Sequence, residues 1–247
     1  LDIDALGAAE KTNWVWKGAS CFAPEARRCI VALSRGGADA AVRREFDTVA
    51  KRFVEAKDGG FVLAEAKSSS DWVDADTLYV ATDFGPGSMT DSGYPRVIKR
   101  WQRGTPLAEA ATVFEGEVKD VAAFVTVDRT PGFERTVFGR ATDFYNSRAW
   151  LLDKHRKLIA IDYPSDAQFS FWREHALIEL KSDWSVGGKT WPRGSLLAAD
   201  AAAYLSGRRE FTALFTPTAT RSLQGFTTTH GRVLLSILDN VAGRVQE

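Results

Sequence analysis

The stretch SDWVDADTLYVATDFGPGSMTDSGYPRVIKRWQRGTPLAEAATVFEG (Ser70–Gly116) decides the fold class. Within it, Leu78–Thr82 and Val97–Trp101 alternate in the period-two pattern of β-strands. Shorter apolar pieces, Trp72–Val73 and Ala111–Phe114, stand before and after them, and glycines and prolines interrupt the middle. The pattern predicts a meander of four short antiparallel strands. Such a meander cannot cover both of its faces alone, so we expect a similar unit on each side.

The same unit recurs along the chain. We predict blades at about 14–54, 70–116, 118–163 and 167–217, with a partial fifth at about 221–247 that the strand-like Leu1–Leu6 could join. Only Ala198–Gly207 has a helical pattern. One aromatic residue marks each unit at a spacing of about fifty residues, which is typical of β-propellers: Phe22, Trp72, Phe124, Phe171 and Phe226. We therefore predict an all-β protein, a β-propeller of four-stranded antiparallel blades, in which residues 1–247 form one propeller domain or a propeller fragment.

The composition is that of a soluble globular protein. The 247 residues carry 32 basic and 32 acidic side chains, so the formal net charge is zero. A neutral balance argues against nucleic acid or an anionic membrane as the main partner. No apolar run is long enough to cross a bilayer. The compartment stays open between cytoplasm and periplasm.

The two cysteines, Cys21 and Cys29, flank a turn. A disulfide is possible where their strands pair. The favoured interpretation is two reduced, half-buried thiols.

No motif in the chain predicts catalysis. A hydrolase nucleophile elbow needs G-x-S-x-G, and Ser88 in Gly85–Met89 has no second glycine in register. Ser185–Thr190 is similar to the end of a phosphate-binding loop, but it lacks the upstream glycine and a following helix, so we predict a β-hairpin. We expect no catalytic residue and no cofactor.

The histidines and tryptophans also receive structural interpretations. His155, His175 and His230 fall in short polar segments and are predicted to be surface turn residues, so no metal site is expected. The eight tryptophans lie mostly at strand positions, which favours packing between blades over ligand stacking.

The loop Asp83–Arg96 is longer than the connection requires, and long ordered loops are often functional. Its polar side chains are our candidates for binding or domain contact: Asp83, Asp91, Tyr94 and Arg96. An equally weighted alternative is a loop at a blade rim that is held by its own hydrogen bonds.

Several segments resemble the propeller of bacterial prolyl oligopeptidase-type serine peptidases. The resemblance spans nearly the whole chain, and Asp83–Arg96 and Ser182–Gly194 are its most specific parts. Phe22–Ser34 follows the family's blade pattern F-S-P-D-G-x-x-L-A-Y-S-L-S, with Ala26 in place of the glycine. The other matching segments are Asn13–Asp47, Thr82–Gly116, Glu179–Asp200 and Leu234–Val245.

The resemblance implies a function. In this family the propeller covers an α/β-hydrolase domain that carries Ser, Asp and His, and it restricts entry to short peptides. No position here matches a catalytic residue of that domain. We therefore expect a non-catalytic propeller fragment whose partners are the C-terminal hydrolase domain of the same polypeptide and short peptide substrates, within a serine-type oligopeptidase. The alternative is a free-standing propeller that binds a protein or sugar partner through one rim.

Overall fold

The computed structural model describes all 247 residues, and about half of them lie in antiparallel strands. Five main sheets follow one another along the chain: the first has five strands, the next three have four each, and the last has three. A separate two-stranded hairpin lies within the fourth. The predicted all-β, propeller-type architecture is confirmed. Contacts divide the chain into two compact units: 1–129 with 134–144 and 148–159, and 130–133 with 145–147 and 160–247.

The strand bounds follow the chain in order. The first sheet contains β1 (Trp14–Cys21), β2 (Arg28–Arg35), β3 (Ala41–Asp47) and β4 (Arg52–Phe53), and β5 (Val62–Ala66) also pairs with β3. The second contains β6 (Ser69–Asp74), β7 (Thr77–Ala81), β8 (Val97–Gln102) and β9 (Ala111–Glu115). The third contains β10 (Ala122–Asp128), β11 (Arg135–Ala141), β12 (Ser147–Leu152) and β13 (Leu158–Ile161).

The fourth sheet has the order β14 (Gln168–Trp172), β15 (His175–Glu179), β18 (Leu196–Asp200) and β19 (Thr212–Phe215). Between β15 and β18 the chain forms the small hairpin β16 (Trp184–Val186) and β17 (Lys189–Trp191). The fifth sheet has the order β20 (Arg221–Thr228), β21 (Val233–Asp239) and β22 (Ala242–Gln246). The helices are α1 (Ile3–Glu10) and α2 (Ala201–Leu205), and short 3-10 segments lie at Ala56–Asp58 and Leu107–Glu109.

The core of the first unit consists of apolar clusters between and beside its sheets. One cluster joins side chains of the first and second sheets around Trp72, which is fully buried. Another joins the second and third sheets around Phe138. Side chains of β7 alternate between these clusters, as the sequence pattern predicted: Leu78 and Val80 join the first, and Tyr79 and Ala81 join the second.

The N-terminal segment corrects one prediction. Leu1–Leu6 is not a strand, because Ile3–Glu10 forms α1. The Asp2 carboxylate caps the helix by accepting a hydrogen bond from the Ala5 backbone N–H at 2.9 Å. Ile3 and Leu6, three residues apart, pack against the cluster of the first sheet.

The cysteine prediction is also wrong. Cys21 and Cys29 lie opposite each other in the β1–β2 ladder and form a disulfide. The sequence pattern contained both partners and the turn between them, but not the register that places them side by side.

Other elements of the structure confirm the sequence predictions or differ from them in their bounds. The predicted hairpin at Ser185–Thr190 is confirmed, with Ser185 opposite Thr190. The helical pattern of Ala198–Gly207 corresponds to the shorter α2. Sequence reasoning missed β5 and β22. His155 and His230 are exposed outside strands, whereas His175 begins β15 and is half-buried. The grouping of all five sheets into one domain, with the blade limits given above, stays a prediction.

Candidate functional site

The candidate loop joins β7 to β8 in the first unit and is organised by its own polar groups. The Ser88 hydroxyl is buried, accepts a hydrogen bond from the Phe84 backbone N–H at 2.8 Å and donates to the Gly85 carbonyl at 2.7 Å. Asp83 Oδ1 accepts from the Gly85 N–H at 2.8 Å and lies 3.2 Å from Ser88 Oγ. No histidine bonds to Ser88, so its hydroxyl acts as a structural hydrogen-bonding group.

Arg96 closes the other end of the loop. Its Nε donates to the Gly87 carbonyl at 2.7 Å and one terminal nitrogen donates to the Gly116 carbonyl at 3.0 Å. The same nitrogen lies 3.4 Å from a Glu115 carboxylate oxygen. Because its donors bind carbonyls of two separate segments, the guanidinium ties the loop to the end of β9.

The tip of the loop is fixed to the start of the third sheet. The Thr90 hydroxyl donates to the Val121 carbonyl at 3.0 Å, and the Asp91 backbone N–H donates to the Val118 carbonyl at 2.8 Å. The Pro95 carbonyl accepts from the Ala123 N–H at 2.9 Å. These bonds hold the tip rigidly although it lies on the surface.

Two of the four candidate side chains, Asp91 and Tyr94, belong to this tip. The Asp91 carboxylate is exposed and makes no side-chain hydrogen bond or ion pair. The Tyr94 hydroxyl donates to Asp39 at 3.4 Å, and the Lys67 ammonium lies 4.1 Å from the centre of the Tyr94 ring. The structure thus separates the candidates. Asp83 and Arg96 bond to the loop itself, whereas the half-buried Tyr94 contacts Asp39 and Lys67 and the Asp91 carboxylate is exposed.

A second polar cluster in this unit was missed by sequence reasoning. The Glu45 carboxylate is completely buried and forms salt bridges with the guanidinium groups of Arg28 and Arg103, each at 2.7 Å. It also accepts the Phe61 backbone N–H at 3.0 Å. Burial alone would raise the pKa of Glu45, but the hydrogen bonds from Arg103, the Phe61 N–H and Arg28 outweigh it and lower the pKa below 4.5.

This cluster joins neighbouring sheets rather than forming a reactive site. Arg103 lies between β8 and β9 of the second sheet, and it also binds the Gly59 carbonyl at 2.8 Å and the Ala75 carbonyl at 2.8 Å. All oxygen atoms of Glu45 are occupied by donors from the chain itself. The only sequence signal is an acidic residue that directly precedes an apolar one, Phe46, within a predicted strand.

Neither a metal centre nor a membrane span is recognisable in the structure. No group of three or more histidine, cysteine, aspartate or glutamate side chains is arranged to hold a metal ion. Neither helix has the length and apolar character needed to traverse a bilayer. Most tryptophans are buried or half-buried, and Trp16 on β1 is the exposed exception.

Comparison with known proteins places these sheets in context. The chain is 39% identical over its whole length to an uncharacterized peptidase from Sinorhizobium fredii, of which it covers 35%. It is 30% identical, over 99% of its length, to an uncharacterized peptidase from Rickettsia prowazekii, of which it covers 36%. The chain therefore spans about a third of the length of these curated relatives. No family model matches the chain.

Solved structures show the same fold in other peptidases. A post-proline cleaving enzyme from Rickettsia typhi matches 99% of the chain with a TM-score of 0.91 and 28% identity, and the chain covers 38% of it. Prolyl oligopeptidase B from Galerina marginata matches 99% of the chain at a TM-score of 0.65 and 12% identity, with 35% of that protein covered. The β-propeller domain of the Trilobed protease from Pyrococcus furiosus matches 94% of the chain at a TM-score of 0.53 and 12% identity, and the chain covers 66% of that domain. The last two similarities concern the fold alone.

Proposed function

The chain is a β-propeller segment of a peptidase of the prolyl oligopeptidase type, and from this premise we propose that it acts as a non-catalytic gate. In the whole protein it would cover the active site of a C-terminal hydrolase domain and admit short peptides. The observation that carries the proposal is the similarity along the whole chain to peptidases nearly three times as long.

The chemistry of the described residues fits a steric role. Buried polar groups such as Ser88 and Glu45 are occupied by hydrogen bonds within the chain. Selection by a gate depends on how rigidly the blades are held, because an extended peptide must pass where a folded protein cannot. The Arg103 contacts between the first and second sheets provide such rigidity in the first unit.

The experiment uses the whole protein and two substrates that share one cleavage sequence. The first is a short fluorogenic peptide, and the second carries the same sequence in a surface loop of a folded protein. We expect cleavage of the peptide only. Comparable kcat/KM values for the two substrates would contradict the gate.

A variant pair connects this selectivity to the propeller. Arg103→Ala removes the link between the two sheets and should increase cleavage of a long peptide relative to a short one. Arg193→Ala, at an exposed arginine whose side chain makes no bond, is the matched control and should leave the ratio unchanged. Both variants are assayed well below the unfolding temperature that circular dichroism gives. An unchanged ratio in folded Arg103→Ala would argue against gating by the propeller.

The two candidate side chains at the loop tip belong to the same proposal. We propose that Asp91 and Tyr94 contact the hydrolase domain, while Asp83 and Arg96 contribute by holding the loop in shape. The rigid attachment of the tip to the third sheet supports this assignment, because a preformed surface loses little conformational entropy on contact.

A further inference from the structure

One guanidinium between the first and second sheets has no acid to neutralise it. Arg43 lies on β3 and is half-buried. Its Nε donates to the Ser68 hydroxyl at 2.9 Å, and one terminal nitrogen donates to the Ser68 carbonyl. The other terminal nitrogen makes no hydrogen bond, and no carboxylate oxygen lies within 4.0 Å of the guanidinium. Burial lowers the pKa of Arg43, and no neighbouring acid raises it again.

Two serine hydroxyls beside this guanidinium are buried and also lack a partner. Ser34 on β2 is completely buried, and neither its hydroxyl nor that of Ser70 on β6 makes a hydrogen bond. Arg43 lies opposite Ala32, so Arg43 and Ser34 are diagonal neighbours on one face of the first sheet, about 7–8 Å apart. Ser70 is two residues from Ser68, to which Arg43 bonds. Because buried polar groups nearly always find a partner, three groups with unused donors at one place call for a ligand.

The strand pairing directs these side chains into the space between the two sheets. Arg43 lies opposite Leu63, and Ser70 lies opposite Val80. Both apolar partners belong to the cluster around Trp72 that joins the first sheet to the second. Since residues directly opposite each other share a face of their sheet, Arg43 and Ser70 approach this space from its two sides.

The same space carries an excess of positive charge. Lys99 on β8 also lies opposite Val80, and its ammonium is 4.6 Å from the centre of the Phe84 ring and forms no salt bridge. The acid on this face of β3, Glu45, is already bound by two arginines. No carboxylate of the chain is therefore left to balance Arg43 and Lys99, and the local potential favours an anion.

We propose that the Arg43 guanidinium and the hydroxyls of Ser34 and Ser70 bind one small inorganic anion, a halide such as chloride, between the first and second sheets. All three groups donate hydrogen bonds to an anion. Water would complete the hydroxyls but would leave the guanidinium charge unneutralised. The burial of the hydroxyls leaves no access for a large organic anion, whereas the half-buried Arg43 gives a halide a path from solvent. This site does not depend on the proposed gate.

Crystals of the whole protein grown in sodium bromide locate the anion directly, because bromine scatters anomalously. We expect one bromide within hydrogen-bonding distance of the free terminal nitrogen of Arg43 and of the Ser34 and Ser70 hydroxyls. Ordered water without an anomalous signal at this position would overturn the proposal.

A variant pair shows whether the site is occupied in solution. Arg43→Met keeps the length and the apolar stem of the side chain but removes its charge. At equal ionic strength, chloride should raise the melting temperature relative to gluconate by a few degrees more in the wild type than in this variant, because an ion that binds only the folded state stabilises it. Arg52→Met, at an exposed arginine on β4, is the matched control and should respond like the wild type. An equal response of the wild type and Arg43→Met would refute the site.

A milder variant keeps the test valid where Arg43→Met does not fold. Ser34→Ala removes one donor and leaves the charge in place. It should raise the bromide concentration needed for half-maximal stabilisation about tenfold, as expected for the loss of one hydrogen bond to an ion. An unchanged bromide dependence would contradict the assignment. None of these readouts involves peptide cleavage, so failure of the halide site and failure of the gate are distinguishable.

Discussion

At the scale of single residues, Glu45 shows how one buried charge is accommodated. A carboxylate without water is stable only where opposite charges and hydrogen bonds surround it. Arg28, Arg103 and the Phe61 N–H supply these contacts. The ion pair is therefore costly to break from one side, although replacing the whole group by apolar residues need not be costly.

Glu45→Ala should lower the free energy of unfolding by about 3–5 kcal/mol, because it leaves two guanidinium groups without their carboxylate. Urea denaturation measures the change. The control is Glu65→Ala, which removes a solvent-exposed pair with Arg35 and should cost less than about 1 kcal/mol. Similar losses in the two variants would contradict the role assigned to Glu45.

The lowered pKa of Glu45 predicts a pH dependence. A carboxylate whose pKa is lower in the folded state stabilises the protein fully above its ordinary value of 4.5. This stabilisation is lost as the pH falls through the folded-state pKa. The stability difference between the wild type and Glu45→Gln should thus be constant above about pH 5.5 and shrink below pH 4.5. A difference that grows on acidification would show that the pKa is raised.

Residue identity alone did not reveal these contacts. The sequence places Glu45 between Arg44 and Phe46, but its partners lie 16, 17 and 58 positions away. The prediction of reduced thiols at Cys21 and Cys29 was wrong for a related reason, because their disulfide depends on the register of β1 against β2. The hydrogen bonds of Asp83 within its own loop could be anticipated, because an aspartate followed by glycines favours an Asx turn.

At the scale of elements, the outer strand of the first sheet is split in two. β3 pairs with β4 at Phe46 and Asp47, and with β5 nearer its start. Between the two pieces, residues 55–60 leave the ladder. Glu45 is opposite the break: its carbonyl accepts the Val54 N–H, and its N–H donates to the Phe61 carbonyl, both at 2.9 Å.

Gly60 is required where the two pieces rejoin. A Cβ atom at this position would lie 2.0 Å from the Val54 carbonyl oxygen, which is backbone and cannot move away freely. Gly60→Ala should therefore lower the free energy of unfolding by about 1–3 kcal/mol or more. The control is Gly225→Ala in β20, where no atom lies within 4 Å and the change should be near neutral. Thermal unfolding distinguishes them, and equal melting temperatures would refute the steric argument.

Strands with clear alternation, such as β7 and β8, could be predicted from the sequence. Short terminal segments could not, because a few residues fit two periods. Leu1–Leu6 alternates like a strand, yet Ile3 and Leu6 also share one helix face, and the Asp2 cap favours the helix. β22 was missed because its sequence, Ala242–Gln246, has only one large apolar residue.

At the scale of the whole molecule, repeated meanders were sufficient to predict the propeller, and the resemblance carried the prediction to a family. The candidate site was only partly predictable. The length of Asp83–Arg96 marked the loop, but which side chains hold it in shape depends on hydrogen bonds to Gly87, Gly116 and Val121.

Tyr94→Ala in the whole protein tests whether this side chain serves folding and packing rather than the chemical step. Loss of the ring removes its contacts with Asp39 and Lys67 and should lower the melting temperature by a few degrees. The turnover number should stay within about twofold, because the side chain would not touch the reacting atoms. Tyr94→Phe separates the hydroxyl from the ring. A tenfold loss of kcat at unchanged melting temperature would assign Tyr94 to the chemistry instead.

The position of Arg103 has a consequence for how the first unit comes apart. Its guanidinium binds Glu45 on β3 and the Gly59 carbonyl in the first sheet, and the Ala75 carbonyl in the second. Separation of the two sheets therefore removes one of the two arginines that neutralise the buried Glu45. The two sheets should consequently unfold together as one cooperative unit, because this shared guanidinium adds to the apolar cluster around Trp72 that already joins them.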